Sequence, residues 1–329
     1  MSPSLDVARP PQTADDLRRF VRAAILFALI GAVLYLAVYA AAERLVYQHA
    51  VRNRFFAVRT APPAHYDVVL LGASHAGVFD YRDMNQQLER LAGAKIMNLS
   101  VVGGGIVPNR LLFDYFLTRH RTSHLLYVVD SFAFYSRQWN EERLQDRRLF
   151  VRAPFDPALA RLLFALPGAR GVALDYTLGF SKINNPDRFA ADIPADEGAR
   201  FDRRYRPVPQ LDQERLEYLY PRAVDRDTFE HYLRRFEALL AGAQARGIGV
   251  VVIKPPLPAR IYRQLPFESE FDTALGGVLA RHGIALHDFS AVNNAEALFQ
   301  DTDHLNRDGV LAFFGDTLAP LLRAELQRQ

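Results

Sequence analysis

The chain reads as an α/β protein: a mostly parallel sheet covered on both faces by helices. Three observations lead there. Short apolar runs recur at 66–74, 95–102, 125–129, 249–253 and 284–289. The first four close on small, acidic or proline positions: Ser74, Gly103-Gly104-Gly105, Asp130 and Pro255-Pro256. Between the runs lie stretches of helical composition. Runs that are apolar throughout, rather than alternating, belong to strands buried on both faces, and such strands are parallel.

The elements follow in order. The first run holds Val68 and Val69 and ends in Leu70-Leu71-Gly72-Ala73-Ser74-His75-Ala76. Residues 81–92 carry Leu88 and Leu91 at helical spacing, and Gly93 can end that helix. A second strand over 95–102 leads to a helix from about 107 to 120. A third strand ends at Asp130. After a long irregular stretch come a helix over 227–245, a strand over 249–253, a helix over 268–282, a last strand over 284–289, and a helix from about 307 to the C-terminus. Residues 150–226 break this alternation. They are rich in Pro, Arg and Asp and have no clean period. The stretch reads as an insertion over the sheet, and it is too long to be a bare loop, so short helices are expected in it.

With 329 residues, 50% of them hydrophobic and 12% aromatic, the chain can bury a large core, which excludes global disorder. The formal charge is only +3. No Lys/Arg-rich run, finger spacing or RNP-like pattern is present, so no nucleic-acid partner is expected. The chain has no cysteine, which excludes disulfides, thiolate metal sites and cysteine nucleophiles.

Residues 23–42 contain no charge. A helix of that length spans about 30 Å, the thickness of a bilayer's hydrocarbon core. Tyr35 and Tyr39 lie toward one end, as in an aromatic belt. Two alternatives stay open: a signal peptide cut near Ala40-Ala41-Ala42, and a buried soluble helix. Arginines flank both ends equally, so charge leaves the orientation undecided. The expected layout is a cytoplasmic tail (1–22), a transmembrane helix (23–42), a stalk and linker (43–64), and a domain (65–329) carrying the insertion. A long C-terminal domain translocates largely regardless of flanking charge. The expected location is therefore the cytoplasmic (inner) membrane, single-pass, with the domain extracytoplasmic or periplasmic.

Ser74 ends a strand in a sharp turn of small residues, a place where a hydroxyl can stand at the carboxyl edge of a sheet. A helix cap is its plainer meaning. Asp301-Thr302-Asp303-His304 precedes the last helix. A histidine base needs a carboxylate to hold its tautomer, and Asp301, three residues ahead, can supply it locally. Asp303 reads as a local cap, and His304 as a cap neighbour is the bland alternative. Taken together, the residues form a candidate triad of Ser74, His304 and Asp301.

Gly72-Ala73-Ser74-His75 after the first strand and Asp301-x-x-His304 before the last helix resemble the SGNH (GDSL-like) hydrolase superfamily. The second block of that family, a glycine after strand two, is similar to Asn98-Leu99-Ser100-Val101-Val102-Gly103. The resemblance covers about 66–329 apart from the insertion. It implies a three-layer α/β/α, flavodoxin-like parallel sheet. It also implies serine acyl-transfer chemistry, with an oxyanion hole made by the backbone N–H groups of Ser74 and Gly103. The third block departs: the chain has Val129-Asp130-Ser131-Phe132-Ala133 where the family has G-x-N-D. Ser131 and Asn140 are the candidates for the missing donor. Such a third block, with one N-terminal membrane helix, is similar to the D-alanyl-lipoteichoic acid transfer (DltD-like) branch. Those proteins work beside a membrane-bound O-acyltransferase.

The resemblance implies an O-acyltransferase, acetyl- or D-alanyl-like, acting on a cell-envelope glycan or polyol. The substrates would be an envelope polysaccharide and an acyl-carrying molecule, and the partner a membrane-bound O-acyltransferase. An esterase or deacetylase would use the same residues. A non-catalytic partner of the acyltransferase is the third reading. His75 is expected to be structural or substrate-lining. Lys254 and Arg260 could meet an anionic substrate. No metal or cofactor is expected. The Asp301-x-Asp303 pair lacks the rest of a calcium loop, and the glycine run lacks the dinucleotide spacing.

Overall fold

The computed structural model describes residues 14–328. The expected tail before residue 14 lies outside them. A single helix, α1 (Ala14–His49, 36 residues), contains the uncharged run and is long and apolar enough to cross a membrane. It is followed by the short α2 (Arg54–Thr60).

The sheet has five strands: β1 (His65–Leu71), β2 (Ile96–Asn98), β3 (Arg121–Val128), β4 (Gly249–Lys254) and β5 (Leu286–Asp288). They lie in the order β2-β1-β3-β4-β5, and every pair is parallel. Val69 stands opposite both Met97 and Leu125, and Val252 opposite both Tyr127 and Leu286. This is the doubly wound order of flavodoxin-like sheets. The chain reverses direction across the sheet between β1 and β3, so a crevice opens beyond their carboxyl ends.

The strands bury both faces. Val69, Leu71, Leu125, Tyr127 and Val252 join one core with α5 (Ile106–Leu117), α12 (Arg226–Gln244) and α14 (Glu268–Arg281). Val68, Leu70, Leu126, Val128, Val251 and Ile253 join the opposite core. That layer comprises α3 (Ser74–Gly77), α4 (Met84–Ala92), α15 (Arg307–Phe313) and α16 (Ala319–Leu326). Each such side chain contributes about 1.5–3 kcal/mol through burial, so a register slip of one residue would be very costly. Between β3 and α12 stand α6 (Glu141–Gln145), α7 (Pro157–Ala165), α8 (Arg170–Leu178), α9 (Phe180–Ile183), α10 (Glu197–Phe201) and α11 (Pro209–Leu219). The short α13 (Ala259–Tyr262) follows β4.

Several boundaries differ from the sequence reading, each for a local reason. β2 has three residues rather than eight. The Asn98 Oδ1 accepts from the Ser100 N–H at 2.9 Å and its hydroxyl at 2.6 Å, which bends the chain. α4 starts at Met84 because Arg82 sits at φ 51, a left-handed conformation that a helix cannot contain. The last helix is broken by a π-helical turn over Phe314–Leu318, just before Pro320, which has no N–H to give the ladder.

Three buried contacts hold the crevice loops. The Cβ of any larger residue at Gly72 would lie 2.8 Å from the Val128 carbonyl, so the turn after β1 can pass over β3 only as glycine. The Asn98 Nδ2 donates to Ala76 O at 2.9 Å, pinning α3 to the β2 loop. The fully buried Asn109 spans both loops. Its Oδ1 accepts from the Gly72 N–H at 3.3 Å, and its Nδ2 donates to Gly104 O at 3.1 Å and Gly105 O at 2.8 Å.

Replacing Asn109 by Ala strands one buried donor and two acceptors. The full chain in detergent should lose about 2–3 kcal/mol or more in chemical denaturation. A change within about 0.5 kcal/mol would remove Asn109 as the tie between the loops.

Candidate active site

Ser74 opens α3 directly after β1, with Ala73 rather than the serine at the cap position. The Ser74 hydroxyl makes no hydrogen bond among the described residues, so it does not serve as a helix cap. It lines a cleft of about 240 Å³ together with Gly103, Asp301 and His304. One wall comes from the insertion, through Glu197, Arg200, Arg203, Arg215 and Tyr218. Tyr81, Phe132 and Trp139 add aromatic surface.

His304 sits on a closed loop. Its peptide N–H donates to Asp301 Oδ1 at 2.9 Å, and Gln300 N–H donates back to His304 O at 2.9 Å. An antiparallel bridge between Phe299 and Leu305 closes the base of the loop. Asn306 caps α15 through the Gly309 N–H at 2.9 Å. The ring Nδ1 lies 2.9 and 3.1 Å from the two oxygens of Asp301 and 3.1 Å from Asp303 Oδ1. With Nδ1 so occupied, Nε2 is left buried and without a partner. The ring does not hydrogen-bond to Ser74 in this state. Such contacts often tighten only when substrate is bound.

Gly103 adopts φ +65, and its N–H has no acceptor among the described residues. A left-handed residue suits glycine, and it turns that N–H out of the chain's own ladder. The Ser74 N–H, first in its helix, has no intrahelical partner either. Two backbone donors therefore flank the serine.

The other candidates fall elsewhere. Asn140 is fully buried: its Nδ2 donates to Ala133 O and Ser136 O at 2.8 and 3.0 Å, and its Oδ1 accepts from the Val107 N–H at 3.1 Å. Both amide hydrogens are used, so it braces the loop and has none to offer a substrate. Ser131 is bound to the Tyr220 hydroxyl at 2.7 Å and to Glu268 at 2.5 Å. Lys254 is 3% exposed and held by Glu268 at 2.6 Å and Asp272 at 2.8 Å, with Asp288 at 3.8 Å. Burial works against its charge, but these carboxylates raise its pKa. Ser131 and Lys254 line a second, smaller pocket, which shares only Phe132 and Leu219 with the cleft. Arg260 is likewise paired, with Asp212 at 2.8 Å and Glu296 at 3.0 Å.

His75 is buried and lies on the second pocket's side, not the cleft's. Its Nδ1 lies 2.6 Å from Asp130 Oδ1, and its Nε2 3.4 Å from Asp303 Oδ2. The His75 and His304 rings are 4.9 Å apart. Asp303, 1% exposed, also accepts from Arg215 Nε at 2.8 Å. Sequence reasoning missed Asp130, Arg215 and the bridging role of Asp303. Asp130 had one available signal, since it ends the third strand at the sheet's carboxyl edge. Arg215 had none, because it arrives from the aperiodic insertion. His75, Asp303 and His304 hold ligand atoms within 4.8 Å of one another, a spacing that suits a metal ion. The guanidinium on Asp303 and two positively biased imidazoles oppose a further cation there.

Burial alone would lower both histidine pKa values, but the carboxylates outweigh it. Asp303 and Asp301 hold His304 up at about 9, and Asp130 with Asp303 holds His75 up at about 10. Burial works against the charge on Asp303 and Asp301 as well. The His304 imidazolium nevertheless keeps both below the usual carboxylate range.

No family model matches the chain, and no curated protein matches it. Two solved structures are similar to it. One is a Bacteroides fragilis NCTC 9343 protein provisionally described as an acylhydrolase. Its TM-score is 0.41 at 9% identity, over 83% of this chain and 93% of that one. The other, from Streptococcus pneumonia, is provisionally described as a platelet activating factor. Its TM-score is 0.39 at 11% identity, over 90% of this chain and 99% of that one.

Two pH effects follow. A His304 that serves Ser74 as its base must be neutral to accept a proton, so on that pairing Ser74 reactivity should climb with pH through about 9. Asp303→Asn should move that midpoint down by about one unit or more. A wild-type midpoint near the ordinary histidine value, 6.5, would count against the pairing. Stability runs the other way. His75 has a folded value of about 10 against 6.5, so its contribution is complete below pH 6.5 and is lost as pH rises toward 10. Denaturation of Asp130→Asn across that window should show a flatter pH dependence than the parent chain.

Proposed function

We propose that the chain is a membrane-anchored serine acyl-transfer enzyme that works through Ser74, His304 and Asp301. One observation carries the reading. A histidine with Nδ1 on a carboxylate and Nε2 unpartnered shares a cleft with an unbonded serine hydroxyl and a free glycine N–H. The SGNH-like order of the motifs, serine after the first strand and D-x-x-H before the last helix, supports it.

In the first step His304 Nε2 takes the Ser74 proton as Oγ attacks the carbonyl carbon of an acyl ester. The N–H groups of Ser74 and Gly103 receive the developing oxyanion. The C–O bond to the leaving group breaks, and His304 returns the proton to that oxygen. An acyl-serine remains. In the second step His304 deprotonates an incoming hydroxyl, whose oxygen takes the acyl group; the Ser74 Oγ–acyl bond breaks, and His304 returns that proton to Ser74 Oγ. Asp301 keeps the ring in one tautomer throughout.

If the acceptor is a glycan or polyol, the protein is an O-acyltransferase, the reading we favour. With water as acceptor it is an esterase or deacetylase. The aromatic lining from Tyr81, Trp139 and Tyr218 suits the C–H faces of a sugar ring, which supports a glycan acceptor. On this reading α1 anchors the domain outside the cytoplasmic membrane, beside a membrane-bound O-acyltransferase that delivers the acyl group. The engagement of Asn140 and Ser131 favours one other reading, a non-catalytic partner of that acyltransferase, because it leaves only two oxyanion donors.

A fluorophosphonate probe added to the full chain in detergent separates these readings. Labelling should occur on Ser74, vanish in Ser74→Ala, and fall by about 10³-fold or more in His304→Ala. No labelling of a folded chain at pH 9 would favour the non-catalytic partner. Acetyl-ester turnover with and without a glycan acceptor then divides transfer from hydrolysis.

A further inference from the structure

The insertion touches α1 within its uncharged run. Arg22 and Glu43 bound that run, so a spanning helix places 23–42 in the hydrocarbon. Tyr35 lies seven residues before its end, about 10 Å deep. The Tyr35 hydroxyl donates to Leu178 O, at the C-terminus of α8, at 2.7 Å. One turn later, Tyr39 packs edge-on to Phe155 at 6.5 Å and lies so close to Gly179 that a Cβ there would stand 2.4 Å from its ring. Tyr35, Tyr39, Ala42 and Val46 form one stripe of α1, and the α8–α9 corner lies along it.

That corner is apolar and uncovered. Leu174 and Leu178, four residues apart on α8, are 50% and 54% exposed, and Phe180 is 56% exposed. Its polar groups are satisfied internally. The Thr177 hydroxyl donates to Ala173 O at 2.7 Å, and the Gly179 N–H to Asp175 O at 2.8 Å. The Ser181 N–H and hydroxyl both reach Asp175 Oδ1, at 3.2 and 2.9 Å. Leu178 O, an end carbonyl that water would otherwise serve, is taken by Tyr35. Lipid requires this kind of closure and water does not. Asp175, inside the corner, keeps its carboxylate on Ser181, and the first charge after the corner, Lys182, turns inward to pair with Glu43, the first charged residue beyond the run. The first charge after the corner and the first charge after the run therefore meet at one level.

We propose that the α8–α9 corner is a second membrane contact, in which Leu174, Leu178 and Phe180 insert among the acyl chains of the leaflet that α1 leaves. The occupant is the bilayer itself, because α1 already lies in it at the same level. A contact of this kind reaches about 5–10 Å past the headgroups. It fixes the tilt of the domain, and with it the height of the cleft. The proposal rests on α1 spanning a bilayer and on no assumption about chemistry.

The chain has no cysteine, so single cysteines can be placed cleanly at exposed positions. Full-length Leu174→Cys, Leu178→Cys, Phe180→Cys, Val33→Cys on α1 and Glu217→Cys on α11 are labelled with an environment-sensitive dye. Each is reconstituted into phosphatidylcholine/phosphatidylglycerol vesicles holding no other protein. Doxyl-labelled lipid should quench the corner sites and Val33 at least twofold more than Glu217, and iodide should quench only Glu217. Iodide quenching at the corner with lipid quenching retained at Val33 would overturn the proposal and leave the anchor standing. Loss of lipid quenching at Val33 would overturn both. Protection of the corner from both quenchers would mean that a second copy covers it, which also overturns the proposal.

Discussion

Two imidazoles and three carboxylates meet at the carboxyl edge of the sheet, and their mutual charge constrains everything around them. The rings of His304 and His75 are 4.9 Å apart. Like charges at that distance would repel strongly in a buried setting. Asp301, Asp303 and Asp130 offset this charge by contacting the ring nitrogens, and Arg215 pairs with Asp303. The cluster is neutral when both rings are protonated. Removing the His304 proton leaves it with one net negative charge, and taking a proton from Ser74 would restore neutrality. On the proposed mechanism, the field that raises the His304 pKa at rest would stabilise the imidazolium formed on attack. A general base pays for such strength in the fraction available at neutral pH.

The same cluster accounts for the topology of the site. Ser74 and His75 follow β1, Asp130 follows β3, and the chain reverses between those two strands. Consecutive residues on α3 then face different partners. Ser74 lines the open cleft, and His75 turns inward to Asp130. Asn109 ties the Gly72 turn to the glycine loop that carries Gly103. The spacing between Ser74 and Gly103 is thereby set by a buried amide rather than by the exposed loops.

What could be read in the sequence, and what could not, divides along the range of the interactions. The strands, the helices between them and the N-terminal helix follow from hydrophobic period, a local property. The Asp301-to-His304 contact spans three residues and was legible for the same reason. His75 was expected to be structural or substrate-lining; nothing local revealed that its partner Asp130 waits 55 residues later. Lys254 looked like a free cation at a strand end. Its partners Glu268 and Asp272 face it only because α14 packs back over β4. Arg215 and the cleft wall come from an insertion without period, whose position is set by tertiary contacts alone.

Those contacts tie the cleft to the anchor. Glu197, in the cleft wall, pairs with Arg52, just beyond α1. The Asp192 carboxylate takes three consecutive N–H groups of the same junction: Val51 at 2.6 Å, Arg52 at 2.8 Å and Asn53 at 2.9 Å. Lys182, 3% exposed, depends on Glu43 for its countercharge. Glu43→Ala would leave that ammonium buried and unpaired, at a cost of several kcal/mol. The helix is therefore more than a tether. It supplies Glu43 to Lys182, the junction after it supplies Arg52 to Glu197, and the 150–226 stretch in turn walls the cleft beside Ser74. The placement of the long apolar helix and the shape of the cleft are consequences of one packing arrangement.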